Sequence, residues 1–443
     1  MKQTRKKFRF TYTQIIALSF LGVITAGAVL LCLPVSAVSG KTSLMDAVFT
    51  AASATCVTGL TVQSTAAHWT LFGKIVILCL IQIGGLGLMT LIAVVSLLVN
   101  RQLKLQGRRL LTQSAGSMQM GDIDQLLKRI IIGTFSFETA GAAVLAVRFC
   151  GRYGLGKGIW LAVFHAISAF CNAGFDILGE TSFADYRSDA LVNLTLMLLI
   201  VIGGLGFYVW TDIIHSRFRP SKLRLQSKLV LSVTGILLLG GTLIFFFSEK
   251  NHAMAGMSVG ERMLASCFQS ATLRTAGFFT VEQGQLSQTG VITSSVFMLI
   301  GGSPGSTAGG IKTVTVAVTL ASALYAGRNV SDVTVFKRRI EEGTVKQAAA
   351  IAHVYVVAVL ASTGLLCAIE PVRLDQALFE VASAIGTAGL SMGITAGLST
   401  ASKLLLTFLM YAGRIGGLTL VTVFAEKRKK VMLERPAEKI IIG

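Results

Sequence analysis

Apolar runs long enough to cross a bilayer, roughly 20 residues each, recur along the whole chain. They predict spans over 12–34, 71–99, 127–149, 190–213, 227–248, 290–326, 345–369 and 401–424. Runs such as Leu191 to Trp210 lack the apolar/polar alternation of barrel strands, so helices are the expected spanning element. Between the members of each pair lies a shorter, semi-polar stretch, at 43–54, 159–169, 260–271 and 374–384. A helix that short cannot span, and the pattern predicts four re-entrant helices.

Each short helix runs into one recurring phrase. The copies are Ser53-Ala54-Thr55-Cys56-Val57-Thr58-Gly59-Leu60, Ser168-Ala169-Phe170-Cys171-Asn172-Ala173-Gly174-Phe175, Thr272-Leu273-Arg274-Thr275-Ala276-Gly277-Phe278 and Ser383-Ala384-Ile385-Gly386-Thr387-Ala388-Gly389-Leu390. A second glycine cluster follows in the last span of every unit: Gly84-Gly85-Leu86-Gly87, Gly203-Gly204-Leu205-Gly206, Gly301-Gly302 and Gly413-Arg414-Ile415-Gly416-Gly417. Small-residue helix packing accounts for this second cluster on its own about as well. It does not account for the first phrase following a too-short helix four times. The expected fold is an all-α polytopic membrane protein of four covalently linked span–pore-helix–span repeats around a pseudo-fourfold pore. It has eight transmembrane helices plus four re-entrant pore helices. The repeats fall at 1–110, 111–222, 223–340 and 341–443.

Composition agrees with a lipid-embedded chain. Of 443 residues, 53% are hydrophobic and 14% charged, against about 25% charged in soluble domains, and the mean hydropathy is +0.70. The net charge of +19 suggests nucleic acid until its placement is considered. About two-thirds of the 40 Lys and Arg lie at the N-terminus, in 100–129, 215–228 and 327–346, and from 425 onward. All of these fall on one side of an even-span topology. The opposite side carries acidic stretches such as Asp176 to Asp189. This is the positive-inside pattern, with N- and C-termini cytoplasmic and a basic face turned to anionic membrane lipid, and no nucleic acid is expected. The basic start runs straight into a full-length span, so no cleavable signal peptide is expected. The seven cysteines and five histidines show no metal-ligand spacing and no nucleophile–base set, so neither a resident metal nor an enzyme is expected.

The four phrases carry the chemistry. A dehydrated cation needs about six to eight oxygen ligands, which backbone carbonyls supply without fixed charge. Carbonyls aimed at an axis require unusual dihedrals, and glycine tolerates positive φ. The candidate ring is Thr55, Cys56, Val57, Thr58 and Gly59 with Phe170, Cys171, Asn172, Ala173 and Gly174. The third and fourth repeats add Leu273, Arg274, Thr275, Ala276 and Gly277, then Ile385, Gly386, Thr387, Ala388 and Gly389. Short helices aiming C-terminal dipole ends inward favour a cation, and no phrase contains a carboxylate. The Arg274 side chain is expected to turn away from the path.

The third repeat departs from the others. Gly302, Ser303, Pro304, Gly305, Ser306, Thr307, Ala308, Gly309, Gly310 and Lys312 interrupt the sixth span, and so glycine-rich a run cannot continue a helix. Irregular backbone at this depth is tolerated where it is buried or lines a water-filled cavity. A flexible plug below the ring is the main reading and a passive kink the other. Gly305 to Thr313 resembles a phosphate loop, but has one residue too many before the lysine and no preceding strand. Arg414 in the eighth span either faces the path and pins the loop or forms a structural contact. Lys312 either acts there or snorkels to the interface. For Glu138, Asp46, Glu380 and His165, structural hydrogen bonding is favoured over ion coupling.

Together these features resemble the Trk/Ktr/HKT superfamily of potassium transporters, specifically its Ktr-type membrane subunit, over essentially the whole chain. The eight spans, without an extra leading pair, favour Ktr over Trk. The resemblance implies potassium uptake across a bacterial plasma membrane through a filter containing Gly59, Gly174, Gly277 and Gly389. It implies that 302–312 is an intramembrane gating loop with Arg414 its partner. It further implies a homodimer on a cytosolic octameric ring of RCK subunits that bind ATP and ADP, with Na+ assisting activation. Cys56 and Cys171 depart from the commonest forms of the phrase. The nearest alternative is a sodium-selective or mixed relative, against which Gly59 argues, since a serine there accompanies sodium preference in plant relatives. A secondary transporter with midplane sites shows two large repeats rather than four small ones.

Overall fold

The computed structural model describes residues 12–87, 123–179, 181–328 and 332–416. The first unit comprises α1 (Tyr12–Leu31), α2 (Leu44–Thr55), the single turn α3 (Thr65–His68) and α4 (Leu71–Leu86). The second comprises α5 (Ile123–Tyr153), α6 (Leu155–Phe170), α7 (Ala190–Leu205) and α8 (Phe207–His215). The third has α9 (Leu225–Ser248), α10 (Val259–Thr272), α11 (Gln288–Leu299) and α12 (Thr313–Ala326). The fourth has α13 (Glu342–Ile369), α14 (Leu374–Gly386) and α15 (Thr400–Ile415). Two short antiparallel strands, β1 (Thr334–Val335) and β2 (Arg338–Arg339), pair in the basic segment between α12 and α13.

Polar caps place the helix starts. The hydroxyls of Ser43, Ser287 and Ser399 accept from backbone N–H groups of the first turns of α2, α11 and α15, and Ser258 with Glu261 forms a capping box on α10. Each such cap satisfies a donor that the helix leaves unpaired. The helix opening each unit is long and apolar enough to cross a membrane: Gln14–Leu31, Lys128–Tyr153, Leu225–Ser248 and Glu342–Ile369. Only 22–33% of these segments is buried within the protein, so their Leu, Ile and Val side chains form the lipid-facing wall. The last turns of the pore helices α2, α6, α10 and α14 are buried instead. Small residues such as Ala51, Ala52, Ala54, Ala166, Ala169, Ala382 and Ala384 let neighbouring backbones approach there.

The closing helices differ from the expected continuous spans. The run predicted over 190–213 is α7 followed, after Gly206, by α8 at 90° to it. Likewise α4 stops at Leu86 and α15 at Ile415, and the remainders of the predicted spans, 88–99 and 417–424, lie outside the described residues. Each stop is a glycine at positive φ: Gly87 (79°), Gly206 (89°) and Gly416 (95°). The sixth span is broken as expected, between Leu299 and Thr313. Among the described residues the closing helix thus ends at a positive-φ glycine in units one, two and four, bends by 90° in the second, and is interrupted by a spliced loop in the third.

Candidate permeation site

The second glycine cluster has a tighter role than helix packing. A Cβ on Gly84 would lie 2.1 Å from the Thr55 carbonyl oxygen, on Gly203 2.0 Å from that of Phe170, and on Gly413 2.0 Å from that of Ile385. Real side chains do not approach backbone so closely, so these glycines let α4, α7 and α15 lie directly against the ends of the pore helices. In the third unit a Cβ on Gly301 would instead meet the Gly309 carbonyl at 2.0 Å. There the loop folds back onto its own stem.

Past each pore helix the chain repeats one backbone course. The N–H of the residue before each phrase glycine returns to the pore helix: Thr58 to the Ser53 carbonyl (2.8 Å), Ala173 to Ser168 (2.8 Å), Ala276 to Thr272 (2.9 Å) and Ala388 to Ser383 (2.8 Å). One position earlier, Val57, Asn172, Thr275 and Thr387 all hold positive φ, between 53° and 66°. That conformation costs a β-branched residue of order 1–3 kcal/mol, and its recurrence marks a backbone shape imposed four times over. Gly59, Gly174, Gly277 and Gly389 then follow at positive φ, from 68° to 94°.

These four glycines close a ring. A Cβ on Gly59 would meet the Ala173 oxygen at 2.5 Å; on Gly174, the Ala276 oxygen at 2.6 Å; on Gly277, the Ala388 oxygen at 2.9 Å. On Gly389 it would meet the Thr58 oxygen at 2.0 Å, which returns the circuit to the first unit. All four border one cavity of about 480 Å³, in which Asp176 is the single charged lining residue among the described residues. The phrase hydroxyls of Thr55, Thr58, Thr275 and Thr387 are buried without a hydrogen-bond partner among the described residues. A ring of backbone oxygen and unpaired hydroxyls is a ready ligand set for a cation stripped of water. Arg274, 2% exposed, has no hydrogen-bond partner for its guanidinium among the described residues. Its side chain turns toward α7, near Gly204.

The loop packs against the pore-helix ends of the phrases, opposite the cavity. On the α7 side its backbone is tied three times. Ser303 N–H donates to the Gly204 carbonyl (3.0 Å), Thr307 N–H to the Gly203 carbonyl (3.3 Å), and Phe207 N–H to the Gly305 carbonyl (2.9 Å). The Thr307 hydroxyl donates toward the Phe170 carbonyl and Asn172 Oδ1, both at 3.2 Å. A Cβ on Gly309 would lie 2.2 Å from Thr387 Oγ1, so the loop also abuts the fourth phrase. Arg414, predicted as the loop's partner, donates to the Thr307 carbonyl and to the Gly84 and Gly85 carbonyls of α4. Lys312 does not extend to the interface; its Nζ donates to the Ala308 carbonyl (2.7 Å). The N–H groups of Ser303 and Thr307 are spent on the wall, and those of Gly301, Ile311 and Thr313 on the stem. They do not form the cradle a phosphate needs.

The remaining polar candidates brace the phrases from behind. His165 donates through Nδ1 to the Leu161 carbonyl (2.7 Å) and accepts the Ile177 N–H at Nε2 (3.2 Å). Glu380 accepts from Ser391, Met392 N–H (3.1 Å) and Thr395 (2.8 Å). Asp46 holds Gln63 (3.2 Å) and Lys403 (3.3 Å), and Glu138 holds Gln82 (3.1 Å). Reasoning from the sequence missed Gln269, whose side chain exchanges hydrogen bonds with Gln283 at 2.7 and 3.1 Å. It sits on α10 much as His165 and Glu380 sit on α6 and α14. Each of the three ties its pore helix to the segment just after the ring, and that shared placement was the available signal.

Comparison with known proteins agrees with this architecture. Residues 3–434 match the TrkH family model, described as cation transport protein. The chain is 39% identical to the Ktr system potassium uptake protein B of Vibrio alginolyticus, covering 99% of this chain and 96% of that protein. It is 37% identical to the potassium/sodium uptake protein NtpJ of Enterococcus hirae, over 100% of this chain and 99% of the other. It is also 36% identical to the Ktr system potassium uptake protein B of Bacillus subtilis, over 99% and 98%. The solved structure of the potassium transporter TrkH from Vibrio parahaemolyticus superposes with a TM-score of 0.74 at 18% identity, over 96% of this chain and 87% of that one. The fold, the ring and the match over nearly the whole length place this chain in the TrkH family of cation transport proteins.

Proposed function

We propose that this chain is the ion-conducting subunit of a Ktr-type potassium uptake system in a bacterial plasma membrane. The observation that carries this reading is the closed circuit Gly59–Gly174–Gly277–Gly389, each glycine set against a carbonyl of the next unit. Residues 55–59, 170–174, 273–277 and 385–389 form the potassium filter, and 302–312 with Arg414 the gate. Transport needs no hydrolysis by this chain. An inside-negative potential contributes about 2.3 kcal/mol per charge per 100 mV, which sustains roughly fifty-fold accumulation.

The two relatives named as proteins of a Ktr system support a multi-subunit assembly. In that assembly two copies of the chain pair and sit on an octameric RCK ring that binds ATP or ADP, with Na+ as an activating ion. The basic segments then face the cytoplasm, with both termini. A mixed potassium/sodium transporter is the second reading, favoured by the relative named for both ions. The test is growth at low potassium of a strain without uptake systems, carrying this chain with and without its ring subunit. Rescue is expected with both present. Absence of rescue despite membrane insertion of both subunits refutes the potassium assignment, and sodium accumulation in its place selects the second reading.

A further inference from the structure

The loop is bonded to the ring itself as well as lying beneath it. The Thr307 hydroxyl has one proton and two acceptors, the Phe170 carbonyl and Asn172 Oδ1. The other end of the Asn172 amide, Nδ2, donates 3.1 Å to the Arg274 carbonyl in the third phrase. That carbonyl only accepts, which fixes the orientation of the amide. Asn172 is wholly buried, as is Thr307, so water cannot take the place of either partner. The side chain therefore bridges the second and third phrases at the junction where Gly174 abuts Ala276 and Gly277. The corresponding residues in the other units are Val57, Thr275 and Thr387. The first has no polar group, and the hydroxyls of the other two have no partner among the described residues. The same Thr307 also receives Arg414 on its carbonyl. One loop residue thus joins the latch on the α15 side to the strut on the filter side.

We propose that Asn172 is a positioning residue for ion selectivity, held by Thr307, so that displacement of the loop alters the ion preference of the ring as well as access to it. This rests on the reading of the ring as filter and the loop as gate. When the loop leaves, Asn172 Oδ1 loses its Thr307 donor. The amide then reorients, and the spacing of the second and third phrases is no longer fixed from below. Asn172 touches no permeant ion in this scheme and acts through the Arg274 backbone.

The test is the K+/Na+ flux ratio in proteoliposomes containing the full-length chain, for the wild type, Thr307→Val, Thr307→Ser, Asn172→Ala and the Asn172→Ala/Thr307→Val double variant. Thr307→Val keeps the shape and removes the hydroxyl. It is expected to lower the ratio by roughly threefold to tenfold, the range one lost hydrogen bond carries, with Thr307→Ser restoring it. The double variant is expected to match Asn172→Ala alone, since both remove one strut. The proposal is overturned if Thr307→Val changes total flux but leaves the ion ratio at the wild-type value, or if the two losses multiply. Gly277→Ser is run alongside. An unchanged ratio in that variant removes the ring from selectivity and refutes the underlying filter reading instead. Should Asn172→Ala fail to insert, the Thr307 pair alone decides, because both of its side chains fit the same space.

Discussion

Replacing Arg414 by alanine tests the latch on the loop. Its guanidinium donates to the Thr307 carbonyl and to two carbonyls of α4, Gly84 and Gly85. The α4 contacts lie within the wall and persist when the loop moves. Only the bond to Thr307 distinguishes closed from open. A hydrogen bond to a charged donor is worth about 1.5–3 kcal/mol, so Arg414→Ala should raise the open-to-closed ratio by roughly ten- to a hundredfold. The assay is Rb+ or K+ uptake into proteoliposomes without regulatory subunits, where basal flux reports the open fraction of the proposed gate. A positive charge on the path would also slow cations, and its removal would raise flux for a different reason. Arg414→Lys separates the two. Lysine keeps the charge but is a point donor that cannot span two walls as the guanidinium fork does. A loosened latch gives increased flux in both variants, whereas a charge barrier gives it only in alanine. Basal flux of Arg414→Ala at or below the wild-type level, in protein of normal thermal stability, would refute the latch.

Gly277→Ser places a Cβ 2.9 Å from both the Ala388 oxygen and the Gly174 Cα, at a φ of +84°. It should lower K+/Na+ discrimination, measured as the ratio of tracer fluxes; an unchanged ratio removes Gly277 from the filter. Adjacent glycines on α7 should behave oppositely. A Cβ on Gly203 meets the Phe170 backbone oxygen at 2.0 Å, whereas one on Gly204 meets nothing closer than 3.7 Å. Gly203→Ala should cost about 1–3 kcal/mol or more in thermal unfolding, and Gly204→Ala little; equal midpoints would undo the close-approach argument. Beyond the end of α13, hydrogen bonds from Ser399 and Ser402 hold the Glu370 carboxylate below the usual range. Its contribution to stability is therefore present above the unfolded-state value, about 4.3, and is lost as pH falls through the lower folded value. Glu370→Gln should remove that acid-side loss from the thermal midpoint. An identical acid profile in the variant would show that the carboxylate is not coupled to folding.

Elements set by local chemistry were legible in the sequence. The pore helices fell within a few residues of their expected positions, because a length too short to span constrains all four and serine caps fix the starts of α2 and α10. The four ring glycines were legible because only glycine fits there and the spacing repeats. The positive φ at Val57, Asn172, Thr275 and Thr387 was not legible, since the tertiary ring imposes it on residues of which three are β-branched and disfavour it. The breaks after α4, α7 and α15 were hidden by hydropathy, which stays high through Gly87 and Gly206. Their signal is the glycine three residues after Gly84, Gly203 and Gly413, in clusters that the sequence offers as a second mark of repetition or as helix packing. The Thr307–Asn172–Arg274 connection joins residues more than a hundred positions apart and follows only from the fold.

The asymmetry of the loop's attachments bears on how such a gate opens. On the α7 and α8 side it is tied by three backbone hydrogen bonds, whose partners are fixed by the bend at Gly206. On the α4 and α15 side the hydrogen-bonded attachment among the described residues is one side chain, Arg414, acting through the Thr307 carbonyl. Backbone ties on one flank and a side-chain latch on the other describe a hinge with a catch. In the proposed gate, movement of α15 by the length of a hydrogen bond would free this catch. Moving Thr307 away from Arg414 and Asn172 would also break its N–H bond to Gly203, leaving the Ser303–Gly204 and Phe207–Gly305 bonds as the hinge. A symmetric ring of four glycines cannot be gated by an event in one unit unless that unit reaches the others. Here the spliced loop touches the second phrase through Thr307, the fourth through Gly309 and the first unit through Arg414 and Gly84, so a change in one repeat is felt around the ring.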